Sequence, residues 1–206
     1  MLRKKWFGIF LCGIFWSSGA FAAEGCTVNR VVGDVRVIRD GQSMPAKEND
    51  QLKKGDRLET GGNCAADMSM NGLAGCRVLA QSQVEVAGWK KENMSLTVSK
   101  GNVILNLEKL PTDSTFRVET PTAVAAVRGT QFWGRVENAS PENPVTTFAV
   151  RSGVVQITDK VSSKTFELQK GQALDISKTA AVAPSVRTAL PEEMQAMEQA
   201  DLISTG

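Results

Sequence analysis

The chain has 206 residues with 24 Lys and Arg against 22 Asp and Glu, a formal net charge of +2, and neither histidine nor tyrosine. The missing histidine excludes His-based catalytic triads, His-ligated zinc and imidazole pH switches. Balanced charge without a basic cluster gives nucleic-acid binding no support, and no G-x-S-x-G, S-x-x-K or G-x-x-x-x-G-K motif points to an enzyme or a nucleotide cofactor.

Arg3, Lys4 and Lys5 precede an apolar run from Trp6 to Trp16, and Ala20-Phe21-Ala22 closes the segment. A charged start, a short apolar centre and an A-x-A ending read as a signal peptide over residues 1–22, cleaved between Ala22 and Ala23. The apolar run is well short of the roughly 20 residues a spanning helix needs. Retention as an N-terminal anchor is the alternative. Cleavage would remove three cations, so +2 becomes −1. The expected location is the periplasm or the exterior, with no membrane span in the mature chain.

From Val28 to Ile176 the pattern is that of short β-strands. Alternating segments recur at 31–38, 65–70, 76–79, 84–87, 94–98, 103–107 and 116–119, then at 131–136, 146–150, 154–158, 165–168 and 173–176, each bounded by turn-forming residues. Gly55, Gly101, Gly153 and Gly171 each stand just before a strand, as a φ > 0 corner requires. Asn71-Gly72 predicts a two-residue hairpin turn. That register sets Cys64 opposite Leu79 and Cys76 opposite Asp67, on opposite faces. A Cys64–Cys76 bridge is therefore disfavoured, and Cys26–Cys64 is the preferred pair, with three reduced apolar packers as the alternative. Residues 138–144, with two prolines, read as an exposed hairpin loop.

After Ile176 the texture changes. Residues 177–188 are rich in Ala, Ser and Thr and read as an extended segment. Leu190-Pro191-Glu192-Glu193 predicts a short helix start, with Met194, Met197 and Leu202 forming an apolar stripe that docks on the β-domain.

Thr120-Pro121-Thr122-Ala123-Val124-Ala125-Ala126-Val127-Arg128-Gly129-Thr130-Gln131-Phe132 resembles the hallmark of the FecR domain family. Five other pieces resemble the family in order: the strand 31–37, the Leu52-Lys53-Lys54-Gly55-Asp56-Arg57-Leu58-Glu59-Thr60-Gly61 step, 96–103, 150–155 and 168–172, with 116–122 leading into the hallmark. The resemblance covers roughly residues 28–176. It implies an all-β fold, an elongated twin-stranded β-solenoid or sandwich-like domain over 23–176, followed by a C-terminal segment over 177–206 with a short helix. Signal-transducing members carry a cytoplasmic sigma-factor-handling region and a transmembrane helix ahead of this domain. Here a signal peptide is expected instead, so the iron-signalling role does not transfer directly.

What the resemblance implies is a non-catalytic envelope module, sensory or regulatory, that binds another envelope protein. A structural or cell-wall glycan-associated role is the alternative, with Trp89 as a sugar platform. Arg128 is the expected anchor for a partner carboxylate, with Trp133 beside it as an apolar contact. The competing reading makes Arg128 a corner staple. Thr120, Pro121, Gly129 and Thr130 are expected to be architectural, Thr130 capping the turn through its hydroxyl. No metal or cofactor is implied.

Overall fold

The computed structural model describes residues 25–138, 143–179 and 183–205. The cleavage site at Ala22 and Ala23 lies outside them. The chain opens with β1 (Cys26–Val32), β2 (Val35–Arg39), β3 (Gln42–Pro45), β4 (Gln51–Leu52), β5 (Arg57–Thr60) and β6 (Ala65–Met70). It continues with β7 (Ala74–Val78), β8 (Gln83–Lys90), β9 (Asn93–Leu107), β10 (Phe116–Glu119), β11 (Ala123–Val127) and β12 (Gln131–Asn138). Then follow β13 (Pro144–Ser152), β14 (Val154–Asp159), β15 (Thr165–Gln169), β16 (Gln172–Ser177) and β17 (Val186–Thr188). A short helix, α1 (Pro191–Ala196), and a 3-10 turn (Met197–Leu202) close the described chain.

The strands form two facing sheets. Sheet I runs β4-β1-β6-β7-β9-β12-β13-β16-β17 and sheet II runs β3-β2-β5-β8-β9-β10-β11-β14-β15. The pairings are antiparallel except β9 with β10. The chain thus crosses from one sheet to the other again and again, which is the expected twin-sheet, all-β architecture. Alternation drives it: Val118, Ala125, Ile157 and Leu168 of sheet II meet Leu105, Phe132, Phe148 and Leu174 of sheet I in one core, all fully buried.

One strand belongs to both sheets. Met94 to Lys100 pair with β8 in sheet II, whereas Gly101 to Asn106 pair with β12 in sheet I. The kink falls on Gly101, whose φ is +88°. A Cβ there would stand 2.2 Å from Ser82 Oγ and 2.5 Å from Ser82 Cα. The closeness is used, because Asn102 N–H donates to Ser82 Oγ at 2.8 Å and Ser82 N–H donates to Thr60 Oγ1 at 3.0 Å. The Thr60 hydroxyl donates in turn to the Leu79 carbonyl. The Gly-Asp-x-Leu-x-Thr-Gly step is therefore a corner lock. Its Asp56 is buried, accepts from the Lys53 N–H at 2.7 Å and takes both Arg39 Nε (2.9 Å) and a second guanidinium nitrogen.

Three sequence expectations need correction. The segment 31–38 is two strands, because Gly33 and Asp34 turn the chain between sheets. The 70s hairpin has a three-residue loop. Asn71 and Gly72 do take positive φ, but Leu73 joins them and Met70 faces Ala74. Cys76 consequently faces Met68, and Asp67 faces Arg77.

The third correction concerns the disulfide. Cys26, Cys64 and Cys76 are all free thiols. Cys26 opens β1 opposite Met70, whereas Cys64 precedes Ala65, which pairs with Val32 at the other end of that strand. At about 3.3 Å per residue the two are on the order of 20 Å apart, far beyond disulfide reach. Cys64 Sγ instead accepts from Asp34 N–H at 3.2 Å and donates to the Gly62 carbonyl at 3.1 Å. Burial pushes the Cys26 thiol up to about 12, helped by the charge of Asp56, and raises Cys76 likewise. Such thiols stay protonated and behave as small apolar packers.

Candidate functional site

The hallmark stretch folds as turn, strand and corner. Thr120 and Ala123 bracket the β10–β11 turn at the exposed Pro121, and Thr120 Oγ1 accepts from Ala123 N–H at 3.0 Å. Three buried hydroxyls form a relay beneath it. Thr122 donates to Thr146 at 2.7 Å, Thr146 donates to Thr120 at 3.0 Å, and Thr120 donates to the Ala123 carbonyl at 3.1 Å. The small-residue run is itself a strand, β11, between β10 and β14. It ends at Gly129, whose φ is +72° and whose missing Cβ leaves room for the Lys109 backbone 3.0 Å away. Thr130 is buried, and its methyl packs on Gly153, where an added Cβ would lie 2.3 Å from it. Its hydroxyl has no partner among the described residues, so Thr130 fills the corner rather than capping it.

Beside this corner lies a half-open groove of about 630 Å³. Phe116, Val127 and Val154 supply its apolar part and Arg117, Arg128 and Gln156 its polar part. Val154 is 45% exposed. Among the described residues, no lining side chain is acidic. Arg117 is exposed on β10 and has no hydrogen-bond or ion-pair partner among the described residues. Arg128 is exposed and donates to the Thr112 carbonyl at 2.6 Å through one guanidinium nitrogen, which staples the 108–115 loop. Both expected roles of Arg128 thus meet in one side chain. A groove with two cations, an apolar floor and no internal counter-charge suits an anionic ligand with an apolar flank.

Trp133 is not part of that groove. Phe132 enters the core between the sheets, so Trp133, the next residue, points to the outer face of sheet I. There it is 5% exposed among Ile104, Ala149, Ala173, Met197, Ala200 and Ile203. The C-terminal segment covers it. The expectation of an Arg128–Trp133 pair fails because alternation sends the two to different surfaces. Trp89 is half-buried and packs on the core.

The C-terminal segment is held by apolar residues and by charge. Met197, Ala200 and Ile203 are buried, whereas Leu202, expected in the stripe, is 75% exposed. Ile203 takes its place. Arg187 on β17 donates to Glu193 (2.7 and 2.9 Å) and to Asp175 (2.7 and 3.1 Å). Arg151 pairs with Asp201 at 2.7 Å, Gln131 donates to Asp201 at 2.8 Å, and Arg77 donates to Gln199 at 2.9 Å. Gly75 permits the closest approach, since a Cβ there would stand 2.5 Å from the Ser204 carbonyl oxygen. Burying Met197 and Ile203 contributes about 1.5–3 kcal/mol each, and the ion pairs add to that hold.

That hold carries a pH dependence. Burial alone would raise the Glu193 carboxyl, but hydrogen bonds from Arg187 and the Leu190 N–H outweigh it and hold it below its ordinary range. Asp175 is also lowered, with burial opposed by Arg187 and Thr147. Asp201 is lowered by Gln131 and Arg151. Depressed carboxyls stabilise above their unfolded values and lose that contribution as pH falls through the folded ones. Hydrogen exchange at residues 191–203, corrected for the intrinsic pH dependence of exchange, is accordingly expected to stay protected from about pH 7 to 5 and to lose protection below about pH 4, before global unfolding. Protection there that persists down to global acid unfolding would contradict this.

Among the described residues, no helix is long and apolar enough to cross a membrane, and no group of three or more Cys, Asp or Glu side chains could hold a metal ion. No curated protein matches the chain. Two crystal structures, at 1.65 and 2.50 Å resolution, of a "putative anti-sigma factor" from Parabacteroides distasonis ATCC 8503 share its fold with a TM-score of 0.58 and 13% identity. The match covers 69% of this chain and 64% of that one, so the chain spans less than two thirds of its structural neighbour. The family model described as FecR protein matches residues 56–156, from the Asp56 corner lock through the Arg128 groove to Gln156. Residues 56–156 are therefore similar to a FecR domain.

Proposed function

We propose that this protein is a non-catalytic sensory or regulatory module of the bacterial cell envelope that works by binding another protein at the Arg117–Arg128 groove. The groove carries the reading: two arginines face out over Phe116, Val127 and Val154 with no acid of the chain among the lining residues. The FecR match and the fold shared with a protein described as an anti-sigma factor support a regulatory role over an enzymatic one. Export rests on the N-terminal 22 residues, whose charge and A-x-A pattern fit a cleaved signal. The partner presents a carboxylate flanked by an apolar side chain.

Two measurements test this. Protein recovered from the periplasmic fraction should begin at Ala23, and retention of residues 1–22 on a cytoplasmic protein would contradict export. Immobilised protein should retain one stoichiometric envelope protein, and Arg117→Glu and Arg128→Glu should each weaken that complex at least ~10-fold, as expected for reversal of a close charge pair. Lys91→Glu, in the exposed β8–β9 turn, should leave it intact. Equal retention by all three folded variants would remove the groove from the account.

A further inference from the structure

Trp133 is nineteen-twentieths buried, yet its indole N–H has no acceptor among the described residues. Arg135, two positions along the same face of β12, lies with its guanidinium carbon 5.1 Å from the centre of that ring, and its Nε is likewise buried without a partner. Trp133 Nε1 and Arg135 Nε are thus buried donors without an acceptor among the described residues, while the rest of the Arg135 guanidinium is partly exposed and pairs with Glu137 at 3.1 Å. Buried donors of this kind are uncommon and costly in a finished interior.

The face around them is built as one row of side chains across sheet I. Ladder register sets Asp67 beside Arg77, then Ile104, Trp133, Ala149, Ala173 and Arg187. The centre is apolar, the buried Asp67–Arg77 ion pair closes one end and Arg187 the other, with Arg151 one row away. What covers it is complementary in sign: Glu193 on Arg187, Asp201 on Arg151, and Met197, Ala200 and Ile203 on the apolar centre. The cover itself is a six-residue helix and a six-residue 3-10 turn, too short to persist without the sheet beneath. Of its two carboxylates on the sheet, Asp201 sits in a partly exposed pair with Arg151, the sort that contributes little individually.

We propose that this face of sheet I is a docking surface for an acidic, amphipathic helical segment of a partner protein. Residues 190–205 are its built-in occupant, displaced when the partner binds. The partner segment repeats the occupant's chemistry, two carboxylates about two turns apart flanking an apolar stripe, and adds an acceptor over the Trp133–Arg135 stack. The surface is distinct from the Arg128 groove, and its failure would leave that reading untouched.

A labelled peptide with the sequence of residues 189–205 serves as the probe of this chemistry. The opened protein is the full chain with Glu193→Ala, Met197→Ser and Ile203→Ser, all in the occupant and none in the face. Fluorescence anisotropy should show at least ~10-fold tighter binding to the opened chain than to the unaltered one, where the tethered segment competes at high effective concentration. Adding Arg151→Glu to the opened chain should abolish binding, and a peptide with lysine in place of Glu192, Glu193, Glu198 and Asp201 should not bind. Equal affinity of the unaltered and opened chains, or equal binding of acidic and lysine peptides, would overturn the proposal. Hydrogen exchange on the unaltered chain is the independent check should the triple variant not fold. Excess acidic peptide should speed exchange at residues 191–203, and unchanged exchange there would count against displacement.

Discussion

Gly101→Ala is expected to remove about 3–5 kcal/mol of folding stability, among the largest losses any single methyl group could cause in this chain. Its φ of +88° is a conformation in which an L-residue pays roughly 1–2 kcal/mol. The added Cβ would also overlap Ser82 at 2.2 Å and 2.5 Å, and the nearer backbone atom cannot swing away like a side-chain tip. Moving Ser82 would break its bonds to Asn102 and Thr60, two links of the corner lock. Overpacking of this kind costs about 1–3 kcal/mol, and each lost hydrogen bond about 1. Gly41→Asn is the control. Gly41 also has positive φ, +77°, but open space where its Cβ would be, so the change should cost under about 1 kcal/mol. Urea unfolding monitored by far-ultraviolet circular dichroism reads both. Similar midpoints for the two variants would show that the corner at Gly101 is not tight.

Arg77→Ala should rank next, at about 3–5 kcal/mol. Arg77 and Asp67 are cross-strand neighbours joined by two hydrogen bonds of 2.6 and 2.7 Å, with side chains only 7% and 10% exposed. The hydrogen bonds to Asp67 raise the arginine further above its ordinary value. Removing the cation leaves a carboxylate buried beneath the C-terminal segment and takes a partner from Gln199. The double change Asp67→Leu with Arg77→Met should recover most of the loss, because a buried ion pair is worth little more than well-packed apolar residues of similar size. A double variant as unstable as Arg77→Ala alone would mean that the pair stabilises outright.

Much of the fold could be read in the sequence. Glycine corners and short alternating segments mark a chain that turns between two sheets, and the FecR-like pieces fall in order along it. The misreadings have physical causes. The run from Ala123 to Val127 is a strand although its alanines have weak strand preference, since two neighbouring strands override propensity. The three-residue loop at Asn71 shifts the register by one, which brings Asp67 to Arg77 rather than to Cys76.

The Trp133 face left a usable trace. Phe132 and Trp133 are adjacent large apolar residues, and on a pleated strand neighbours point to opposite faces. Both faces of β12 must then be covered, which requires a third layer. The alternation of Phe116, Arg117, Val118 and Glu119 places Arg117 outside in the same way. Nothing local, by contrast, shows that Arg117 and Arg128 share a groove with Val154. That follows only from β11 lying between β10 and β14.

Site-specific photo-crosslinking from Val154 in living cells tests the central claim most directly, because that side chain is 45% exposed on the groove rim. The account requires one discrete adduct with an envelope protein, lost when Arg117 and Arg128 are both changed to glutamate in a chain that still folds. No adduct, or an adduct that survives the charge reversal, would contradict it.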